Sequence, residues 1–128
     1  MHEYLDVDQQ KAVEALEELK RICDKHDINF YLIAGSCLGA VRHKGMIPWD
    51  DDVDVALFRN DYERFCKEAP ALLPEQLFLQ NFQSDPAFPA IYSKLRNSET
   101  TCIEESVAAL PINHGISIDI FPLYIQLL

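Results

Sequence analysis

The stretch of sequence that decides the fold is Asp50–Phe58, which reads DDDVDVALF. Four of its first five residues are carboxylates, and an apolar run typical of a buried strand follows at once. In an extended strand alternate side chains point to opposite faces, so Asp52 and Asp54 share one face while Val53 and Val55 share the other. The two aspartate Cα atoms are then roughly 6.6 Å apart, which is two strand rises of about 3.3 Å. Adjacent carboxylates of this kind suit a hard divalent cation such as Mg²⁺.

A calcium-binding EF-hand is the other acidic pattern to test against this stretch. With Asp50 at loop position 1, Val55 falls at position 6 and Asp61 at position 12. An EF-hand needs glycine at position 6 and a bidentate glutamate at position 12. The EF-hand interpretation is therefore excluded.

Helices and strands surround the acidic stretch in a recognisable order. Apolar residues at three- and four-residue spacing predict an amphipathic helix over residues 8–26, ending near Asp27. Asn60, with Glu63 as its reciprocal partner, predicts the cap of a second helix that Pro70 ends. Short apolar runs predict strands at Phe30–Ala34, Val53–Phe58, Leu77–Leu79, Ile91–Leu95 and Ile116–Phe121. This order predicts an α+β fold, with a small mixed β-sheet and helices on one face.

Composition narrows the class of protein. The chain has 128 residues, 48% hydrophobic and 25% charged, which is the balance of one globular domain over residues 1–128. Its net charge of −10 argues against nucleic-acid binding, which requires a basic face. The chain has no transmembrane run, secretory signal or closely spaced cysteine pair, so we expect a cytoplasmic protein with reduced, mostly buried cysteines. Because the sequence ends on apolar residues 125–128, we also expect a piece of a longer protein.

Two further elements carry chemistry. Gly35 and Ser36 lie between a predicted strand and a short helical turn over Ser36–Val41, where backbone N–H groups and the serine hydroxyl can receive a phosphate. Asp119 lies in the apolar run of the last predicted strand, where a carboxylate is costly unless it is paired or binds a metal. If that strand lies beside Val53–Phe58, the carboxylates converge in a site typical of two-metal phosphoryl or nucleotidyl transfer.

Basic residues of this acidic chain cluster around these elements. Arg42 and Lys44 lie between the Gly-Ser turn and the aspartates, and Lys94 and Arg96 lie two residues apart on one predicted strand face. Diphosphate chemistry needs such cations to offset negative charge in the transition state. Tyr92 offers a ring for stacking on a nucleobase.

These motifs resemble the LicD family. The resemblance rests on Leu38–Ala56 (LGAVRHKGMIPWDDDVDVA), Asp61–Phe65 and His114–Pro122, and it extends over roughly residues 10 to 124. It implies a nucleotidyltransferase-like fold and transfer of phosphocholine, or a similar phospho-alcohol, from a CDP-activated donor such as CDP-choline. The acceptor it implies is a sugar of a cell-surface glycan such as lipopolysaccharide or teichoic acid. Fukutin-related proteins, which transfer ribitol phosphate, are relatives.

The resemblance also implies roles for individual residues. Gly35 and Ser36 match the phosphate-binding Gly-Ser element, Asp52 and Asp54 the metal-binding pair, and Asp119 the third carboxylate, with Mg²⁺ or Mn²⁺ as the metal. Asp119 would either help to deprotonate the attacking sugar hydroxyl or hold a second metal ion. The enzyme would act at the inner face of the membrane, with peripheral association and no transmembrane segment.

Two other functions remain open at this point. A DxD-type glycosyltransferase also uses aspartates to hold a metal-bound nucleotide diphosphate, although the Gly-Ser turn and Asp119 disfavour it. A non-catalytic nucleotide- or metal-binding module is the third possibility, and the short chain length is its only support. Release of CMP or UDP from activated donors separates the first two.

Overall fold

A computed structural model describes residues 7–33 and 53–124. Two helices and five strands lie in these ranges: α1 (Val7–Lys25), β1 (Tyr31–Leu32), β2 (Asp54–Phe58), α2 (Arg59–Glu68), β3 (Leu77–Gln80), β4 (Ser93–Asn97) and β5 (Ile116–Leu123). Short 3₁₀ turns follow α2 at Ala69–Ala71 and precede β5 at Glu105–Val107. The predicted helical turn at Ser36–Val41 falls outside the described residues.

The five strands form one mixed sheet in the order β1-β2-β5-β4-β3. Strands β2 and β5 pair in parallel, whereas the other three neighbouring pairs are antiparallel. The last strand of the described chain therefore occupies the centre of the sheet. The α+β class and the mixed sheet with flanking helices are confirmed.

One face of the sheet builds the hydrophobic core. Val55, Leu57, Leu95, Ile118 and Ile120 have no exposed surface, and they alternate along their strands as a half-buried sheet requires. Helix α1 contacts β4 and β5, and helix α2 contacts β2 and β5. Each fully buried Leu or Ile stabilises the folded state by about 1.5–3 kcal/mol relative to an exposed one. Ile118 and Ile120 therefore point to the core, and Asp119 between them points to the other face.

The start of strand β4 differs from the sequence prediction. The apolar run predicted a strand from Ile91, but β4 begins at Ser93, and Ile91 is 89% exposed. Ser93 pairs with Ile120, so two more ladder positions would set Ile91 opposite Pro122. Proline has no N–H to donate to a ladder. The prediction of a strand over Ile91–Leu95 was therefore shifted by two residues.

The ends of the helices follow local backbone chemistry. Helix α1 ends at Lys25, and Asp27 adopts the left-handed conformation (φ 55°) that commonly stops a helix. The predicted cap of α2 at Asn60 is wrong: Phe58 is the N-cap, with no side-chain cap hydrogen bond. Strand β2 leads directly into helix α2, so Asn60 already lies in the first turn of the helix. Glu63 forms an ion pair with Arg59 at 3.0 Å.

Gly115 marks a close approach of two backbones, and we predict that Gly115→Ala strongly destabilises the domain. An added Cβ atom would lie 2.1 Å from the Asn97 carbonyl oxygen, which belongs to the neighbouring strand and cannot move without distorting the ladder. Overpacking of this kind costs roughly 1–3 kcal/mol. Urea unfolding of the variant and the parent protein measures the loss, and a change below about 0.5 kcal/mol, the size of an ordinary surface substitution, would contradict this geometry.

Candidate functional site

Two of the predicted carboxylates lie side by side on the sheet face opposite the core. Asp54 of β2 and Asp119 of β5 are register partners in the parallel pair, and the Asp119 N–H donates to the Val53 carbonyl at 3.0 Å. Neighbouring strands lie about 4.8 Å apart, so paired residues present their side chains next to each other. The expected adjacency of these two strands is present.

A buried lysine continues this row onto the next strand. Lys94 pairs with Asp119 across the β4–β5 ladder, and its Nζ atom donates to Asp119 Oδ1 at 2.7 Å. Glu104 lies 3.5 Å from the same ammonium. The Lys94 side chain is only 8% exposed, and a buried cation of this kind requires a partner. Burial alone lowers the pKa of Lys94, but the hydrogen bond and charge of Asp119 raise it above its ordinary value, so the ammonium stays protonated at neutral pH.

A cleft of about 400 Å³ opens above this row. We call it the Asp119 cleft; its lining residues are Val53, Tyr92, Lys94, Cys102, Glu104, Ser117 and Asp119. It joins acidic and basic side chains at the same face as Asp54. Such a mixture suits a ligand that carries anionic groups and is held with the help of a cation.

Arg96 lies on the same strand face as Lys94 but is used differently. Its side chain is fully buried: Nε donates to Gln80 Oε1 at 2.8 Å, and Nη1 donates to the Gly115 carbonyl at 2.7 Å. Burial lowers the pKa of the guanidinium, although the charges of Glu104 and Asp119 oppose this change. Lys94 and Arg96 share a strand face, as predicted. Two of the three guanidinium nitrogens of Arg96 donate hydrogen bonds to protein groups. The phosphate-binding role of Arg96 therefore stays a prediction.

Gly35, Ser36, Arg42, Lys44 and Asp52 all lie outside the described residues. Within residues 7–33 and 53–124, no group of three His, Cys, Asp or Glu side chains is arranged to hold a metal ion. Asp54 and Asp119 supply hard oxygen ligands of the type that Mg²⁺ and Mn²⁺ prefer, so the part of the predicted ligand set that is described fits such an ion.

Among the residues of the Asp119 cleft that sequence reasoning missed, two come from outside the sheet. Glu104 and Cys102 come from the exposed segment before the 3₁₀ turn, which has no hydrophobic periodicity to place it over the sheet. Among the cysteines, Cys23 is buried as expected, whereas Cys102 is exposed, so the expectation of buried cysteines fails at this position. No signal in the sequence could have brought this segment to the cleft.

The sheet, the paired aspartates and the flanking helices define a nucleotidyltransferase-like domain. The family model described as the LicD/FKTN/FKRP nucleotidyltransferase domain matches residues 27–126. The chain therefore belongs to the LicD family, as its motifs predicted.

Three relatives show how far the similarity extends. The lipopolysaccharide cholinephosphotransferase LicD of Haemophilus influenzae is 46% identical over 50 residues, which cover 39% of this chain and 19% of the relative. The human ribitol 5-phosphate transferase FKRP is 38% identical over 54 residues, covering 39% of this chain and 11% of the relative. The human ribitol-5-phosphate transferase FKTN is 35% identical over 54 residues, covering 42% and 12%. The chain thus matches about a fifth of these relatives' lengths or less.

In the described part of the chain, neither helix combines the length and the apolar character that crossing a bilayer requires.

Proposed function

We propose that this domain transfers a phospho-alcohol group, such as phosphocholine, from a CDP-activated donor to a sugar hydroxyl of a cell-surface glycan. The observation that carries the proposal is the row formed by Asp54, Asp119 and the buried Lys94, of which Asp119 and Lys94 line one cleft. Membership of the LicD family supports it, and so do the relatives, which are a lipopolysaccharide cholinephosphotransferase and a ribitol 5-phosphate transferase.

The Asp119 cleft would hold the diphosphate of the donor. Lys94 contributes positive charge there. Because its side chain is little exposed, the ammonium group attracts an anion more strongly than it would in water. Asp52 and Asp54 would hold a Mg²⁺ or Mn²⁺ ion, and of the two roles predicted for Asp119 the proposal uses that of proton acceptor. When bound, such an ion supplies positive charge that offsets the negative charge of the phosphates.

The transfer is a displacement at phosphorus. The sugar hydroxyl oxygen attacks the phosphorus that bears the alcohol, the bond from that phosphorus to the bridging oxygen breaks, and CMP leaves with the bridging oxygen. Asp119 Oδ2 takes the hydroxyl proton, because Oδ1 already accepts the hydrogen bond from Lys94.

Binding of the donor should stabilise the domain, and this effect tests the proposal without turnover. A ligand that binds only the native state, at about 100 times its Kd, adds about 2.7 kcal/mol, which corresponds to roughly 10 °C in Tm. We expect that shift with millimolar Mg²⁺ or Mn²⁺ plus CDP-choline or CDP-ribitol, and not with metal plus UDP-glucose.

The control is Asp54→Asn, which removes one carboxylate from the row and should lose most of the shift. Asp61→Asn removes a partly buried carboxylate of helix α2 that does not line the cleft, and it should keep the shift. Release of CMP in the presence of acceptor glycan, identified by mass spectrometry of the products, then tests the transfer. A shift with UDP-glucose alone, or no metal-dependent shift with any CDP-alcohol, would overturn the proposal.

A further inference from the structure

Of the charged side chains that the structure describes in the Asp119 cleft, Glu104 is the one that the proposed transfer does not use. Its side chain is 51% exposed, and it makes no cap hydrogen bond to the 3₁₀ turn that follows it. Its carboxylate lies 3.5 Å from Lys94 Nζ, beyond the range of about 2.7–3.2 Å that is usual for an N–H···O hydrogen bond. The fold therefore leaves this carboxylate available to a ligand in the cleft.

The backbone around Glu104 is anchored at the cleft. The Cys102 N–H donates to the His114 carbonyl at 2.7 Å, and the Val107 N–H donates to the Glu104 carbonyl at 3.1 Å. These bonds hold the chain on either side of the Glu104 side chain, so the position of its carboxylate is part of the fold. A change of this side chain should alter the charge of the cleft without unfolding the segment.

The described part of the cleft has one carboxylate more than it has basic groups. Lys94 is the basic residue among the lining side chains, and Asp119 is its hydrogen-bonded partner at 2.7 Å. A smaller pocket of about 50 Å³ is also lined by Glu104, and its other two charged residues, Asp8 and Arg96, carry opposite charges. In both places Glu104 supplies the negative charge that is left over.

The aromatic ring of the cleft is not an alternative site for a cation. Tyr92 packs on Phe121 with ring centroids 4.5 Å apart and on Phe88 at 6.3 Å. Lys94 Nζ already lies 5.7 Å from the centroid of Tyr92, within the distance of about 6 Å at which a ring attracts a cation. A second positive charge in the cleft would therefore pair with Glu104.

The excess carboxylate affects donors differently according to their charge. The diphosphate that the cleft is proposed to hold is anionic, so Glu104 repels it. A donor whose alcohol carries an ammonium group offsets this repulsion, because its own cation pairs with the carboxylate. A donor with a neutral alcohol meets the repulsion alone. One attractive and one repulsive contact together are a common basis of specificity.

We infer that Glu104 is a specificity-determining residue, which favours donors with a cationic alcohol such as choline over donors with a neutral polyol such as ribitol. The inference rests on the proposed function, because it concerns the alcohol end of the donor assigned to the Asp119 cleft. It goes further by naming the class of alcohol and the residue that selects it. A bound metal ion is the competing partner for Glu104, and the experiment below separates the two.

Isothermal titration calorimetry with the whole chain and saturating Mg²⁺ tests the inference without turnover. It compares CDP-choline with its neutral analogue, in which a carbon atom replaces the choline nitrogen, so the two donors differ in charge but not in shape. We expect wild type to bind CDP-choline about fivefold more tightly, because an exposed ion pair contributes up to about 1 kcal/mol. In Glu104→Gln we expect the two Kd values to agree within about twofold. The neutral analogue should also bind this variant more tightly than it binds wild type.

The matched control is Glu105→Gln, which removes the neighbouring exposed carboxylate. Glu105 lines neither the Asp119 cleft nor the smaller pocket, so this variant should keep the fivefold preference. Because the result is a ratio of two Kd values measured on one protein, a fraction of unfolded variant would not change it.

Three results would overturn the inference: equal binding of both donors by wild type, an unchanged ratio in Glu104→Gln, or loss of the preference in Glu105→Gln. A Glu104→Gln variant that binds both donors more weakly by the same factor gives the second of these results and makes Glu104 a metal ligand instead. Failure of the proposed function reads out separately, as no metal-dependent binding of either donor by wild type, and the inference would fail with it.

Discussion

Asp119→Asn should lower transfer by about a thousandfold while the domain remains folded. General base catalysis contributes about 10²–10⁴-fold, and the substitution removes the charge that takes the proton while keeping the side-chain shape. Asparagine still offers its Oδ1 atom to the Lys94 ammonium, whose bond to Asp119 is 2.7 Å long in the parent protein. The measurement is kcat for CMP release with saturating CDP-choline, metal and acceptor.

Asp61→Asn is the matched control for this experiment, since Asp61 has a similar side-chain exposure, 23% against 22%, and also forms an ion pair. It should keep nearly full activity. Asp119→Asn also reduces the charge that compensates Lys94, so we expect a loss of about 1–3 kcal/mol in the free energy of unfolding. The double variant Lys94→Met with Asp119→Asn should recover part of that stability but none of the activity. Turnover within a few-fold of wild type in Asp119→Asn would remove this residue from the mechanism.

Arg96→Met should lower the free energy of unfolding by roughly 3 kcal/mol. The substitution keeps an apolar stem of similar length but leaves Gln80 Oε1 and the Gly115 carbonyl without their donors, at 2.8 and 2.7 Å in the parent protein. Both acceptors belong to buried residues, so water does not readily replace the guanidinium. Urea unfolding at neutral pH measures the difference.

Two further variants test whether the loss of stability in Arg96→Met comes from the buried hydrogen bonds. Arg64→Met removes an arginine that is 51% exposed and should cost less than about 1 kcal/mol. Arg96→Lys should recover only part of the loss, because a single ammonium cannot reproduce the planar fork that reaches two acceptors. If Arg96→Met proves as stable as Arg64→Met, the buried hydrogen bonds contribute little, and a direct role of Arg96 in phosphate binding becomes the better explanation for its position.

The central strands were predictable because their pattern is local. The alternation of Asp54 with Val55, and of Ile118 with Asp119, fixes which side chain points to which face once each segment is extended. The resemblance to the family then predicted one site for both aspartates, which are register partners in the sheet. Helix α1 followed from apolar spacing and agrees with its prediction to within one residue at each end.

The remaining features depend on contacts between distant residues. The start of β4 is set by Pro122 on another strand, and Arg96 receives its partners from β3 and from the residue before β5. Glu104 reaches Lys94 from a segment with no regular structure of its own before the 3₁₀ turn. No periodicity in the sequence encodes such pairings, so the charge environment of the site required the three-dimensional structure.

The central position of β5 has a consequence for how the domain is made. Before Ile116–Leu123 joins, the sheet consists of two separate antiparallel pairs, β1 with β2 and β3 with β4. A two-stranded pair is marginally stable in water, and pairings distant in sequence form late. During synthesis on the ribosome, the two halves must therefore wait for the last described strand to emerge. That strand also carries Asp119, so the step that completes the sheet also assembles the row of Asp54, Asp119 and Lys94. A chain whose synthesis has not reached this strand therefore lacks the row.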